Sequence, residues 1–232
     1  LGPGVAVGRE FPEVAHSARL LKTGSGGRTV VVHKQKRFYE EKFWFADSAV
    51  LKVFTFPLLQ GDKNTALLQP NSVVISESSA KKYFGDENPM GKFIDAYPND
   101  DGQKMQFMVT GVAEDVPSNS HLHFDFLASF HSQKGDWLES WGGFWSVFSY
   151  VRLNHGASAE ALNEKISTLS TKYLGEDPWY TLSLLLVLDI HLKSSLKSEI
   201  EPTSSITKVY VFSAVGLLTQ PQRTHAVIMD IE

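Results

Sequence analysis

Residues 71–91 read NSVVISESSAKKYFGDENPMG, and this stretch predicts a buried strand followed by a short helix. It begins with a β-branched apolar run, SVVI, which is typical of a buried strand. Ser76 is a suitable N-cap, and Tyr83 and Phe84 follow at helical spacing. Gly85 stands where a helix normally ends. The stretch contains no nucleophile, metal cluster or phosphate loop, so it predicts structure rather than chemistry.

The residues on both sides of this stretch predict further strands. Downstream, residues 93–94 and 105–112 predict two strands that pair antiparallel across the turn PNDDG at 98–102. Upstream, residues 30–33 predict a strand that follows the glycine-rich turn at 23–27. A phosphate-binding loop is excluded there because no GK[ST] follows the glycines and no helix begins after them.

From residue 150 onward the pattern becomes strand, helix, strand. Residues 150–153 alternate as a strand does, and Ser158 can cap a helix over 159–173. Residues 182–190 are apolar and extended, and a second apolar run covers 209–218. A strand, helix and strand in this order suit a split βαβ layer.

The composition excludes several classes of function. The chain has 232 residues, a net charge of −4 and no cysteine. The charge gives no general reason to expect nucleic-acid binding, and the basic run HKQKR at 33–37 is typical of a solvated strand end or turn. The lack of cysteine excludes zinc ribbons, thiol catalysis and disulfide scaffolds.

Few side chains form a pattern that indicates catalysis or metal binding. His121 and His123 flank one leucine, so on a strand they would share a face with Asp125, a spacing that could hold a metal or belong to an ordinary polar turn. His191 follows Asp189, which fits a hydrogen-bonded histidine or a base. Adjacent carboxylates point to opposite faces of a strand, and no GxSxG or SxxK motif is present. We therefore predict no enzyme, no cofactor and no metal.

The most aromatic segment covers residues 135–148, GDWLESWGGFWSVF. Trp137, Trp141 and Trp145 have the spacing of one helical face. They form either part of the core or an exposed aromatic surface that contacts a partner or a lipid-like substrate. These three residues are the predicted partner-contact site.

Four segments, in this order along the chain, resemble the MacB-type periplasmic core domain. They are PNSVVISESSAKKYFGDENPMGK, FMVTGVAEDVPSNSHLHFDFLASF, LVLDIHL and ITKVYVFSAVGLL. This domain lies between the first and second membrane helices of FtsX/MacB-like ABC transporter permeases. The resemblance extends from about residue 11 to residue 218. The segments are structural motifs rather than catalytic signatures.

The resemblance implies an α+β, two-lobed fold. A porter-like split βαβ lobe would be built from both chain ends, residues 1–62 and 148–208. A strand-rich α+β lobe, residues 63–147, would be inserted between them. Residues 209–232 would be the start of the second membrane helix followed by an atypical tail.

The resemblance also implies a function without catalysis. The domain would face the periplasm at the bacterial inner membrane and transmit motion from a separate cytoplasmic ABC ATPase subunit, acting through the membrane part, to periplasmic substrate or partners. A second permease copy and a periplasmic partner are expected, and nucleic acid is not. The alternative is a soluble periplasmic module that binds a lipid, peptide or antibiotic. An apolar pocket lined by Trp141 or Trp145 would favour that alternative, and a metal bound by His121, His123 and Asp125 would favour an enzyme.

Overall fold

The structure is a computed structural model. It describes residues 2–23, 27–98, 102–118, 120–135, 141, 147–176, 180–186 and 209–216. Four α-helices, one 3₁₀ helix and twelve strands lie within these residues.

The chain forms two compact units. Unit 1 consists of Leu1–Arg19 and Gly135–Glu232, and unit 2 consists of Leu20–Lys134. The predicted α+β class, with one lobe built from both chain ends and a second lobe inserted, is confirmed. The unit boundaries differ from the predicted lobe boundaries at 62/63 and 147/148. The reason is that strands from residues 20–60 pair with strands after residue 90, and only the tertiary pairing reveals this.

Unit 1 combines elements from the beginning and the second half of the chain. They are α1 (Pro3–Glu10), the first residues of β1 (Val14–Lys22), β10 (Val147–Leu153), α4 (Ala159–Leu174), β11 (Tyr180–Leu186) and β12 (Val209–Gly216). The strands lie in the order β11–β12–β10–β1, and β12 is antiparallel to both β11 and β10.

Strand β12 corrects the prediction for the apolar run near the end of the chain. Residues 209–216 were expected to begin a membrane helix, and that prediction is wrong because they form a strand. A short apolar run has no period that distinguishes a helix from a buried strand, and this one is rich in the β-branched and aromatic residues that favour strands. Among the described residues, no helix is long and apolar enough to cross a membrane.

Helix α4 follows the sequence prediction closely. The Ser158 side chain accepts a hydrogen bond from the Ala161 backbone N–H at 3.1 Å, as an N-cap does. Leu162, Ile166 and Leu169 are buried on one face of the helix. The N-cap Ser158 therefore identified the start of α4, and the helical period identified its packed side.

Unit 2 is built on one set of paired strands. Besides the end of β1, its elements are β2 (Thr29–His33), β3 (Lys36–Glu40), β4 (Phe43–Ala46), α2 (Val50–Val53), β5 (Leu58–Gln60), β6 (Ser72–Ser76), α3 (Glu77–Phe84), β7 (Phe93–Tyr97), β8 (Met105–Ala113), β9 (Phe126–Ser129) and a 3₁₀ helix (Phe130–Ser132). The strand order is β1–β4–β9–β6–β8–β7–β2–β3, with β5 beside β8. The β4–β9 and β6–β8 pairs are parallel.

The stretch at residues 71–91 folds as predicted. It forms β6 and α3, and the Ser76 side chain accepts from the Ser79 backbone N–H at 3.2 Å. Tyr83 and Phe84 are buried, and Gly85 ends the helix with a positive φ of 66°. The predicted antiparallel pairing of β7 with β8 is also confirmed.

Phenylalanine side chains form the centre of unit 2. The Phe43 ring lies 5.8 Å from the rings of Phe45 and Phe107 and 5.5 Å from that of Phe126. All four side chains are buried. This cluster joins β4, β8 and β9, because each strand contributes at least one ring.

Candidate functional site

Helix α4 in unit 1 is held against the last residue of α1 and the segment that connects α1 to β1. Lys172 Nζ lies 2.6 Å from Glu10 Oε2, and the Tyr173 hydroxyl donates to Glu10 Oε1. Two turns earlier in α4, Lys165 donates a hydrogen bond to Glu13 Oε1. We call these residues, Glu10, Glu13, Lys165, Lys172 and Tyr173, the α4 clamp.

The α4 clamp stabilises its carboxylates in the charged form. The hydrogen bond from Lys172, followed by that from Tyr173, lowers the pKa of Glu10, while partial burial opposes this shift. The hydrogen bond from Lys165 lowers the pKa of Glu13 in the same way. Because the lysine side chains keep 55% and 57% of their surface exposed, each ion pair on its own stabilises unit 1 only weakly.

Two hydrogen bonds from Asn154 to backbone carbonyls reinforce the same connection. The Asn154 backbone N–H donates to the Glu13 carbonyl at 2.8 Å, and its side-chain amide donates to the Pro12 carbonyl at 2.7 Å. Asn154 lies just after β10, at the start of the loop that leads to α4. The α1–β1 connection is therefore bound both by the helix and by the loop before it.

Trp141 lies beside this clamp. Its ring stacks on the Tyr173 ring, with centroids 4.4 Å apart and planes 14° apart, and 8% of the residue remains exposed. This packing agrees with the core interpretation of Trp141. Trp137 and Trp145 lie outside the described residues, so contact of the three tryptophans with a partner stays a prediction.

A buried carboxylate holds α3 in unit 2. Glu40 is 6% exposed, lies 2.7 Å from Lys82 Nζ, and accepts the hydroxyl of Tyr83. Burial, and then the bond to Glu40, raises the pKa of Tyr83 far above its ordinary value. These polar groups bind one another, so the network fixes a helix on the sheet.

The residues considered for metal binding do not lie on a strand. His121, His123 and Asp125 occupy the segment before β9, so the shared strand face on which their metal spacing relied is absent. The His123 carbonyl accepts from Trp44 Nε1 at 3.0 Å, and burial raises the pKa of Asp125. Within the described part of the chain, no group of three or more His, Cys, Asp or Glu side chains could hold a metal ion. Asp189 and His191 lie outside that part.

Comparison with known proteins identifies the family of the chain. The profile of the MacB-like periplasmic core domain matches residues 3–169. The chain belongs to this family. The resemblance predicted from the four sequence segments is thereby confirmed, and the protein is a MacB-like periplasmic domain of the kind found in ABC transporter permeases. No curated protein sequence matches the chain.

Solved structures share the fold of this MacB-like domain. A domain of a protein assigned as a permease, from Porphyromonas gingivalis, has a TM-score of 0.61 at 24% identity and covers 86% of this chain and 84% of that chain. The periplasmic region of MacB from Actinobacillus actinomycetemcomitans has a TM-score of 0.53 at 16% identity, covering 76% and 74%. The extracellular domain of the noncanonic ABC-type transporter YknZ from Gram-positive bacteria has a TM-score of 0.52 at 16% identity, covering 76% and 84%. At these identities the comparison shows the fold.

The α4 clamp was not predicted from the sequence of this MacB-like domain. Lys165 and Lys172 lie two helical turns apart, beside the apolar face of α4, and this spacing places them on one side of the helix. The spacing of these two lysines can be read from the sequence alone. Their partners Glu10 and Glu13 lie more than 150 residues earlier, and no local pattern connects them.

Proposed function

We propose that this domain transmits motion within an ABC transporter permease. A separate cytoplasmic ATPase subunit drives the membrane part, and the domain carries the resulting movement to a periplasmic substrate or partner. The domain faces the periplasm at the bacterial inner membrane, and the permease works as two copies. Membership in the MacB-like family supports this proposal.

The α4 clamp is the observation that carries the proposal. Unit 1 contains residues from both ends of the chain, and α1 and α4 come from its two parts. A displacement of α1 reaches α4 only through contacts that resist separation. The ion pairs and the hydrogen bonds of Glu10 and Glu13 supply such contacts.

We also propose that the domain itself is not catalytic. Two carboxylates of the described residues are held in side-chain hydrogen bonds: Glu40 binds Lys82 and Tyr83, and Glu10 binds Lys172 and Tyr173. Incubation of the chain alone with ATP tests this point, because it should release no phosphate above the buffer control.

Charge reversal in the full-length permease, reconstituted with its ATPase, tests transmission. The chain has no cysteine, so Glu164→Cys, on the exposed side of α4, gives a unique spin-label site within the domain. We expect ATP to change the label-to-label distance between the two copies. Glu10→Lys or Lys172→Glu should reduce this change without reducing ATP binding, and the double reversal should restore it.

Glu114→Lys is the matched control. It is an exposed reversal of the same sign in unit 2, which contains none of the clamp residues, and should leave the distance change intact. Single reversals that leave the ATP-dependent change at the wild-type value would refute the proposed role of the clamp. Absence of any change, together with binding of a lipid, peptide or antibiotic by the chain alone, would favour the binding-module alternative.

A further inference from the structure

Strand β3 is the edge strand of unit 2. It ends the strand order and pairs, within the described residues, with β2 alone. The two strands form a tight hairpin in which His33 lies opposite Lys36 and Val31 lies opposite Phe38. An edge strand of this kind presents unpaired backbone groups along its outer side.

The hairpin register identifies which backbone groups face outward. In a two-residue hairpin the closing pair, here His33 and Lys36, is a hydrogen-bonded pair, and hydrogen-bonded pairs alternate along antiparallel strands. Lys36, Phe38 and Glu40 therefore direct their N–H and C=O groups toward β2. Arg37 and Tyr39 direct theirs outward, and no backbone hydrogen bond in the described part of the chain uses them.

The side chains of this edge are unusually exposed for aromatic residues. Tyr39 is 73% exposed and Phe38 is 40% exposed. Arg37 is exposed, and no described carboxylate forms an ion pair with it. Edge strands are commonly protected by charges, proline or bulges, but the middle of β3 carries two exposed rings beside a cation.

We propose that β3 pairs antiparallel with β3 of a second copy of this chain, with Phe38 opposite Phe38 of the second copy. In this register the outward groups of Arg37 meet those of Tyr39 of the second copy, and the symmetric pair does the same. Every outward N–H and C=O of both residues then has a partner. The new interface is isologous, as a two-fold dimer requires.

The side chains of β3 complement themselves in this register. Arg37 lies beside Tyr39 of the second copy, where a guanidinium can stack on the ring. Sliding the strands by two residues removes the Arg37–Tyr39 contact, because Arg37 then lies against Arg37 in one direction and Tyr39 against Tyr39 in the other. This self-complementarity favours a second copy over an unrelated strand, and the proposal does not depend on the transmission of motion.

Single cysteines in the full chain, which contains none of its own, test the register. Phe38→Cys should form a disulfide-linked dimer under mild oxidation, because opposed residues of a non-hydrogen-bonded pair lie about 4.5 Å apart at Cα. Lys36→Cys is the matched control, since position 36 lies on the same face of the same strand. In the proposed register the two copies of residue 36 are offset by about four residues along the strands, which is too far for a disulfide. Equal cross-linking of the two variants would mean random collision and would overturn the proposal.

Complementary charge variants provide a second test that needs no disulfide. Arg37→Glu and Tyr39→Arg should each weaken self-association, the latter by placing arginines opposite each other. When the two variants are mixed, the new carboxylate of one chain lies opposite the new guanidinium of the other. The mixture should therefore associate about tenfold more tightly than Tyr39→Arg alone. Sedimentation velocity measures the association. A wild-type chain that stays monomeric at every soluble concentration, or a mixture no tighter than its components, would overturn the proposal.

Discussion

Replacing Gly8 with alanine is expected to destabilise unit 1, although alanine is the better helix former. Gly8 lies in α1, against Ser17 of β1. A Cβ atom added at Gly8 would overlap Ser17 Oγ and would lie 2.9 Å from Ser17 Cβ. The distance between the two Cβ atoms is well below the ~3.5 Å at which carbon atoms normally make contact.

Two opposing terms decide the size of the effect. Alanine gains about 1 kcal/mol over glycine in a helix interior. Overpacking at a tight contact costs about 1–3 kcal/mol. A rotation of the Ser17 side chain relieves the Oγ contact but not the Cβ contact, because Cβ is fixed to the backbone. The strand or the helix must therefore move, and we expect a net loss of about 1 kcal/mol in the free energy of unfolding.

Urea unfolding, with hydrogen exchange of the α1 and β10 amides to report on unit 1, measures this loss. Arg9→Ala, at the next and exposed position of α1, is the control and should change stability by less than about 0.5 kcal/mol. Adding Ser17→Gly to Gly8→Ala should recover part of the loss beyond the sum of the single effects. A Gly8→Ala chain as stable as the wild type, or more stable, would contradict this prediction, because helix propensity would then outweigh the contact.

Ser158→Ala removes the N-cap of α4 and should lower the free energy of unfolding by about 1 kcal/mol in urea titrations. The pKa of Glu10 is lowered by its bond to Lys172, so Glu10 contributes fully to the free energy of unfolding above its unfolded-state pKa, and this contribution is lost as the pH falls through its folded-state pKa. In an acid titration of unit 1, Glu10→Gln should therefore lose less stability than the wild type. In the same urea titrations, Phe43→Ala, at a fully buried ring, should lower the free energy of unfolding by about 3–5 kcal/mol. Phe93→Ala, at a half-exposed ring, should lower it by about 1 kcal/mol or less. A similar loss for both variants would contradict the assigned core.

Local sequence patterns predicted the elements that are defined by contacts between residues close together in the chain. The N-caps Ser76 and Ser158 are confirmed, because a capping side chain bonds a backbone group only three residues away. The pairing of β7 with β8 is confirmed for a similar reason, since a short turn joins the two strands. These interactions lie within a few residues, and a sequence pattern can encode them.

Elements whose stability comes from distant contacts were missed or misassigned. The first helix, PGVAVGRE, contains two glycines and has weak intrinsic propensity, so it depends on packing against Ser17 and Ser149. Strand β12 was predicted as helix because its pairing with β10 and β11 is not visible in its own residues.

The sequence alone indicated the family and the α+β class through the resemblance of its four segments to the MacB-type domain, and it indicated the strand–helix unit at residues 71–91 through local order and composition. Only the tertiary structure decided what this unit is attached to. It places Tyr83 on the carboxylate of Glu40, 43 residues earlier, and Glu10 on Lys172, 162 residues later. It also decided that the edge of β3 faces outward. Contacts between residues so far apart in the chain depend on how the strands and helices pack together, and no local sequence pattern encodes that packing.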